Sequence, residues 1–140
     1  FEDNVVDAAT CLEALEFMPD TRKALQEIWR VLRPGGLALL TNRIGPWAKF
    51  LPGHTLRTDK FMALLDSMGF EQIKKETWQV EYDLIWAVKP GRPTRQAGQP
   101  PQLRCPTCHA RLVRQEGAFA CRRCNKTYPI APDGVIEMMR

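Results

Sequence analysis

Hydrophobic and polar positions follow two periods along the first two thirds of the chain. Residues 5–10 form a short run with β-branched members, which favours a strand. Residues 37–41 are almost wholly apolar, so we expect a second strand that is buried on both faces, as in parallel sheets. Between these runs the apolar residues recur at i, i+3, i+4 and i+7, which predicts an amphipathic helix. Its stripe consists of Leu25, Ile28, Trp29 and Leu32.

Capping residues predict where this helix and a second helix begin and end. Asp20 is a suitable N-cap for the first helix, and residues 33–36 contain the proline and glycines of a terminating turn. Thr58 is expected to cap the second helix and Gly69 to end it in a left-handed conformation. The apolar stripe of the second helix is Phe61, Leu64, Leu65 and Met68.

Two further apolar runs follow the second helix almost without interruption. Residues 70–80 and 82–88 are separated by one residue, so we expect them to pair as an antiparallel hairpin. The element order is then β-α-β-α-β-β, and the fold class is α/β. The intervening segment 42–57 is expected to be a loop. Its Trp47 and Phe50 either pack back on the domain or form a wall facing a ligand.

Composition divides the chain after the last strand. Residues 90–102 are rich in proline and glycine and lack apolar periodicity, which is typical of an exposed linker. We therefore expect one domain at residues 1–89 and a smaller one at residues 103–140. The net charge of +4 is uneven, because residues 89–126 hold nine basic side chains and one acidic side chain. This basic stretch is either a solvated surface or a contact for an acidic partner such as RNA.

Four of the five cysteines form two Cys-x2-Cys pairs separated by twelve residues. Such pairs present four soft thiolates to one ion, and a closed shell of this kind favours structural Zn²⁺. The predicted ligands are Cys105, Cys108, Cys121 and Cys124. Two disulfides or an iron–sulfur centre are the alternatives, and His109 is surplus to a complete shell. Metal-binding cysteines fit a reduced, cytoplasmic setting, and no apolar run reaches the ~20 residues that a membrane span needs.

Residues 1–89 resemble the C-terminal half of class I S-adenosylmethionine-dependent methyltransferases. The similar segments are the approach to the first strand, the loop at residues 12–20, the turn at residues 32–36, and Gly69 and Phe70 with the closing hairpin. The resemblance implies a partial Rossmann-like sheet that holds strands four to seven. The glycine-rich cofactor loop of that family is absent, and no Gly-x-Gly occurs in the chain. We therefore expect the first three strands to lie upstream of Phe1, and the 140 residues alone to be inactive.

The same resemblance assigns roles at the carboxyl end of the first strand, where open α/β sheets bind ligands. It implies that Thr10, Cys11 and Leu12 flank the methionine part of the cofactor. It also implies that Glu13, Glu16 and Phe17 face the methyl acceptor. The alternatives are a small buried hydrophobe for Cys11 and a solvated loop for the two glutamates.

Residues 103–139 resemble the small zinc-binding proteins that activate tRNA, rRNA and release-factor methyltransferases. The similar features are the two cysteine pairs, Leu112, and residues 128–130 followed by residues 133–135. The resemblance implies a zinc-ribbon domain that docks a substrate or partner. The function expected is thus a methyltransferase with unknown acceptor, completed by its N-terminal half or by another chain. The alternative is a non-catalytic zinc-ribbon module that activates or scaffolds a methyltransferase or binds RNA.

Overall fold

The computed structural model describes residues 1–50, 55–92 and 103–138. It contains two compact units, which we name the α/β unit (residues 3–97) and the cysteine unit (residues 98–140 with residues 1–2). Most of the expected linker, residues 93–102, lies outside the described residues. No helix within the described ranges is long and apolar enough to span a membrane.

The α/β unit consists of four strands and two α-helices in the order β-α-β-α-β-β, as the hydrophobic pattern predicts. Two 3₁₀ helices, Leu15–Phe17 and Pro46–Phe50, follow the first and second strands. The main elements are β1 Val6–Cys11, α1 Thr21–Val31, β2 Leu32–Arg43, α2 Thr58–Ser67, β3 Glu71–Trp78 and β4 Tyr82–Val88.

The sheet has the order β1-β2-β4-β3. β1 and β2 are parallel, while β2 with β4 and β4 with β3 are antiparallel, which confirms the predicted hairpin. β1 therefore lies at one edge of the sheet formed by the described residues. Since α1 and its flanking loops connect two neighbouring parallel strands, these segments form the expected βαβ unit.

β2 begins five residues earlier than predicted, because residues 33–36 belong to the strand rather than to a turn before it. Leu32 pairs with Val6, and Leu37 is the next residue of β2 that pairs with β1, so the intervening residues form an irregularity in the strand. The N–H of Gly35, which has a φ of 77°, donates to the carbonyl of Lys89 at 2.7 Å. A Cβ at Gly36 would lie 2.9 Å from the Arg33 carbonyl oxygen, so a side chain cannot fit there without a shift.

The predicted caps are partly confirmed. The Asp20 carboxylate accepts a 3.0 Å hydrogen bond from the Lys23 N–H at the start of α1. Gly69 has a φ of 88° and follows α2, as expected of a left-handed stop. The prediction for Thr58 is wrong: Thr58 is the first residue of α2, and its hydroxyl hydrogen-bonds to the buried Asp83 carboxylate.

One face of the sheet carries the core. Leu25 of α1 and Leu65 of α2 are fully buried against strand residues that include Leu40 and Ile85. The opposite face is not covered in the same way, because Leu37 is 36% exposed and Trp86 is only partly buried. The expectation that residues 37–41 are buried on both faces is therefore wrong at Leu37.

The cysteine unit is built on a small antiparallel sheet of order β5-β6-β7. Its strands are β5 Leu112–Gln115, β6 Ala118–Cys121 and β7 Thr127–Pro129. Its buried residues are Cys105, Leu112, Cys121 and Tyr128. Two of these four are predicted metal ligands, so the centre of this unit is occupied by sulfur rather than by a large hydrocarbon core.

We predict that Leu25→Ala lowers the free energy of unfolding of the full chain by about 2–5 kcal/mol, because it leaves a cavity between α1 and the sheet. Val80→Ala is the matched control, since Val80 is 92% exposed. Urea unfolding followed by tryptophan fluorescence measures both variants. Equal stability of the two variants would contradict the packing described above.

Candidate functional site

The carboxyl ends of β1 and β2 lie side by side, because the strands are parallel and Cys11 pairs with Leu40. Two connections leave the sheet at this edge: residues 12–20 after β1, and residues 44–57 after β2. In open α/β sheets this is the edge at which ligands bind. The six residues predicted to contact cofactor or acceptor all belong to β1 or to the first of these connections.

The three predicted cofactor contacts differ in exposure. Cys11 is buried, whereas Thr10 and Leu12 on either side of it are exposed. Burial, and secondarily the charge of Glu16, raises the pKa of the Cys11 thiol. A raised pKa disfavours the thiolate, so the structure supports the small buried hydrophobe rather than a reactive nucleophile.

The three residues predicted to face the methyl acceptor also differ in exposure. Phe17 is 70% exposed and Glu13 is exposed, whereas Glu16 is only 3% exposed. The backbone of Glu13 has a φ of 50°, and its N–H donates to the Thr41 hydroxyl at 2.6 Å. This bond ties the connection after β1 to the end of β2.

Glu16 is held by residues distant in sequence. The Tyr82 hydroxyl donates to Glu16 Oε1 at 2.8 Å, and Arg43 Nη1 lies 3.9 Å from the same oxygen. Arg43 also pairs with Glu81 at 3.0 Å, and its guanidinium lies 5.6 Å from the centre of the Tyr82 ring. These contacts fix the 3₁₀ helix after β1 against β2 and β4.

Sequence reasoning missed three more buried polar residues at this edge: Thr41, Asn42 and Asp83. The Asn42 side chain donates to the Leu56 carbonyl at 2.9 Å, and Asp83 lies 3.7 Å from Lys75 Nζ. The available signal was the Thr-Asn pair that ends the apolar run of β2. Polar side chains at that point satisfy the backbone and side chains of the loops that leave the sheet.

A small cavity is lined by several of these residues, including Thr41 and Asn42. Arg43 and Thr21 also line it, and their buried atoms Arg43 Nε and Thr21 Oγ1 have no hydrogen-bond partner among the described residues. A more open cleft of about 680 Å³ adjoins it, with Arg43, Leu56 and Asp59 among its lining residues.

The two aromatic residues of the second connection do not pack into the core. Trp47 is 58% exposed and Phe50 is 73% exposed, and their ring centres are 5.6 Å apart. Both lie on the 3₁₀ helix Pro46–Phe50 that follows β2. Their exposure is inconsistent with the alternative that they pack back on the domain.

The four cysteines of the cysteine unit form a compact cluster. All four Sγ atoms lie within 4.8 Å of one another. The distances are 3.6 Å for Cys105–Cys124 and 3.4 Å for Cys108–Cys121. A tetrahedral Zn²⁺ site with bonds of about 2.3 Å has sulfurs separated by about 3.8 Å, so the cluster fits such an ion. The cysteines are free, and these separations exceed the ~2.05 Å of a disulfide bond, which disfavours the disulfide alternative.

Two equivalent turns produce the cluster. The N–H of His109 donates to the Cys105 carbonyl, and the N–H of Asn125 donates to the Cys121 carbonyl, both at 2.9 Å. His109 and Asn125 have φ values of 57° and 58°, so each turn closes through a left-handed residue. His109 is exposed and lies outside the cysteine cluster, as predicted.

Cys105 has an additional side-chain contact. Its Sγ lies 3.0 Å from the hydroxyl oxygen of Tyr128. Burial by itself raises the pKa of the Cys105 thiol, but hydrogen bonds from Tyr128 and from the backbone N–H of Cys108 outweigh it and lower the pKa to about 5. At Cys105 these hydrogen bonds therefore favour the thiolate that metal binding requires.

Comparison with known proteins shows what the α/β unit is similar to. Residues 1–40, which include β1, α1 and much of β2, match the family model of a methyltransferase domain. The chain also matches a solved structure of an S-adenosylmethionine-dependent methyltransferase from Aquifex aeolicus, with a TM-score of 0.51 and 17% identity over 63% of this chain and 48% of that one. The α/β unit therefore shares part of the fold of this methyltransferase.

Two other solved structures agree with this assignment. Phosphoethanolamine N-methyltransferase 2 of Haemonchus contortus, in complex with S-adenosyl-L-methionine, matches with a TM-score of 0.55 and 16% identity over 65% of this chain and 35% of that one. The third match is a chain from the complex of the Haloferax volcanii Trm112 methyltransferase activator with a methyltransferase. Its TM-score is 0.53 and its identity is 17%, over 65% of this chain and 57% of that one. This chain spans less than two thirds of the length of each of these three methyltransferase structures.

The Glu16–Tyr82 contact generates a prediction about proton binding. Burial and the hydrogen bond to Glu16 raise the pKa of Tyr82 to about 12, above the ~10 of an unfolded tyrosine. The stability that this shift contributes is fully present below pH ~10 and is lost as the pH rises through about 12. Glu16→Gln should lower the pKa of Tyr82 but leave it above ~10, because burial remains.

Absorbance at 295 nm, titrated for the wild type and for Glu16→Gln, measures this pKa. Titration of the Tyr82→Phe variant identifies the signal of Tyr82, since the chain contains only one other tyrosine, Tyr128. If the pKa of Tyr82 is the same in Glu16→Gln as in the wild type, the hydrogen bond between the Tyr82 hydroxyl and the Glu16 carboxylate is contradicted.

Proposed function

We propose that residues 1–89 are the C-terminal half of an S-adenosylmethionine-dependent methyltransferase domain and that residues 103–140 are a structural zinc module. The first part rests on two observations. The methyltransferase family model covers β1, α1 and most of β2, and the connections that follow β1 and β2 leave the sheet at the edge where such folds bind ligands.

Two features of the sheet support a missing half. Among the described residues, β1 pairs with a strand on one side only, so its other side offers backbone groups to a further strand. The face that carries Leu37 and Trp86 is only partly buried, so further helices could pack on its apolar residues. The missing half would supply the glycine-rich cofactor loop, which this sequence lacks.

The proposed division of roles follows the family resemblance, and burial changes it only at Glu16. Thr10, Cys11 and Leu12 flank the cofactor, while Glu13 and Phe17 face the acceptor, with Trp47 and Phe50 as a further wall. We assign Glu16 a supporting role, because its carboxylate is buried against Tyr82 and Arg43. It fixes the 3₁₀ helix so that Phe17 projects outward.

S-adenosylmethionine, when bound, supplies an electrophilic methyl group for an in-line displacement. The residues of this chain would position the acceptor and exclude water, and such chemistry needs no universal catalytic side chain. The acceptor is not assigned, because one fold serves many methyl acceptors.

The zinc module would serve as a docking element. Four thiolates complete the coordination of Zn²⁺, so the ion has no open position for chemistry and contributes to folding instead. A module of this kind could dock the methyltransferase domain of its own chain or a partner protein. The Haloferax volcanii neighbour is itself found in a complex with a methyltransferase activator, which is a precedent for such a partner.

An alternative function rests on the second cysteine turn. Arg122, Arg123 and Lys126 are exposed on or beside it and would attract the phosphates of RNA. No aromatic side chain of the turn accompanies them to stack on bases. The methyltransferase proposal is favoured because the family match and the fold both lie in the α/β unit.

We predict that the 140-residue chain binds no S-adenosylmethionine in isothermal titration calorimetry. Binding should appear when the chain is joined to an upstream segment that supplies a Gly-x-Gly loop, because only then are both walls of the cofactor site present. Micromolar binding by the 140 residues alone would refute the missing half. No binding by the joined protein would refute the methyltransferase assignment.

We also predict one zinc ion per chain by elemental analysis of the purified protein. Cys121→Ser should release the ion and unfold the cysteine unit, since the metal supplies much of its stability. Cys11→Ser is the matched control, because Cys11 lies outside the cluster, and it should keep its zinc. Iron in place of zinc, or zinc retained by Cys121→Ser, would contradict the proposed centre.

A further inference from the structure

Tyr128 connects a strand without metal ligands to the cysteine cluster. It is the central residue of β7, is 6% exposed, and places its hydroxyl oxygen 3.0 Å from Cys105 Sγ. This contact joins β7 to the first cysteine turn.

The direction of the hydrogen bond follows from the metal. A sulfur bound to Zn²⁺ is a thiolate and carries no proton, so it can only accept. Tyr128 must then be the donor, and a hydrogen bond to a charged acceptor is shorter and stronger than one between neutral groups.

The contact between Tyr128 and Cys105 distinguishes the first cysteine turn from the second, which is otherwise equivalent to it. Each turn closes through one backbone hydrogen bond, from the His109 N–H to the Cys105 carbonyl in the first turn and from the Asn125 N–H to the Cys121 carbonyl in the second. Among the described contacts, only the first turn has a tyrosine hydroxyl added to this pattern.

Resting on the zinc centre proposed above, we infer that Tyr128 is a positioning residue of that centre. Four thiolates carry more negative charge than a divalent ion neutralises, and buried charge is costly unless it is hydrogen-bonded. The hydroxyl offsets part of this charge at Cys105 and fixes the orientation of that ligand. Partners of this kind beyond the ligands typically change metal affinity by about 10–100-fold.

The same hydrogen bond ties β7 to the ion. β7 pairs with β6 through Phe119 and Tyr128, and beyond it Ile130 bridges to Ile136. Since β7 supplies no ligand, Tyr128 is the side chain through which metal binding orders this strand and the segment that follows it.

The test compares Tyr128→Phe with the wild type in the full chain. Zinc affinity is measured by competition with a chromophoric chelator, and Tyr128→Phe should weaken it by at least about tenfold. Tyr82→Phe is the matched control, because it removes the same hydroxyl from the α/β unit, and it should leave zinc affinity unchanged. In the Co²⁺-substituted protein, loss of the hydrogen bond should shift the sulfur-to-cobalt charge-transfer band to lower energy.

The outcomes separate this inference from the zinc proposal. Unchanged affinity and an unshifted band in Tyr128→Phe, with one zinc per wild-type chain, would overturn the role of Tyr128 alone. A wild-type chain without zinc would overturn the centre itself. If Tyr128→Phe does not fold, NMR spectroscopy of the wild type loaded with ¹¹³Cd²⁺ replaces the variant. A slowly exchanging Tyr128 hydroxyl proton that is coupled to the metal supports the inference. The absence of such a proton overturns it.

Discussion

The pairing of β2 on both sides is the constraint on which the α/β unit depends. β2 lies parallel to β1 and antiparallel to β4, so it connects the βαβ unit to the closing hairpin. Because β1 and β2 run the same way, both connections that follow them leave at one edge. The antiparallel β4 begins at that same edge. There Asn42 pairs with Asp83, and Arg43 pairs with Tyr82. The buried polar network is a consequence of this register.

Elements determined by local pattern were predictable from the sequence. The stripes of α1 and α2, the Asp20 cap, the Gly69 stop and the antiparallel hairpin all follow from residues close together in the chain. The cysteine cluster was predictable in the same way, since each Cys-x2-Cys pair closes its own turn.

Features that depend on distant partners were not predictable. β2 begins at Leu32 because Val6 and Lys89 pair with its first residues. Thr58 bonds to Asp83 rather than capping its own helix. Glu16 is buried because Tyr82 lies 66 positions later in the sequence and reaches it. No periodicity or spacing signals contacts of this kind.

The central claim is that β1 is an inner strand of a larger methyltransferase sheet. Hydrogen exchange at the β1 amides that are not bonded to β2 tests it most directly. Those amides should exchange rapidly in the 140-residue chain and become protected when an upstream half is joined to it, because a neighbouring strand then pairs with them. Exchange that is equally rapid in the folded, joined protein would show that β1 is a true edge and would contradict the account.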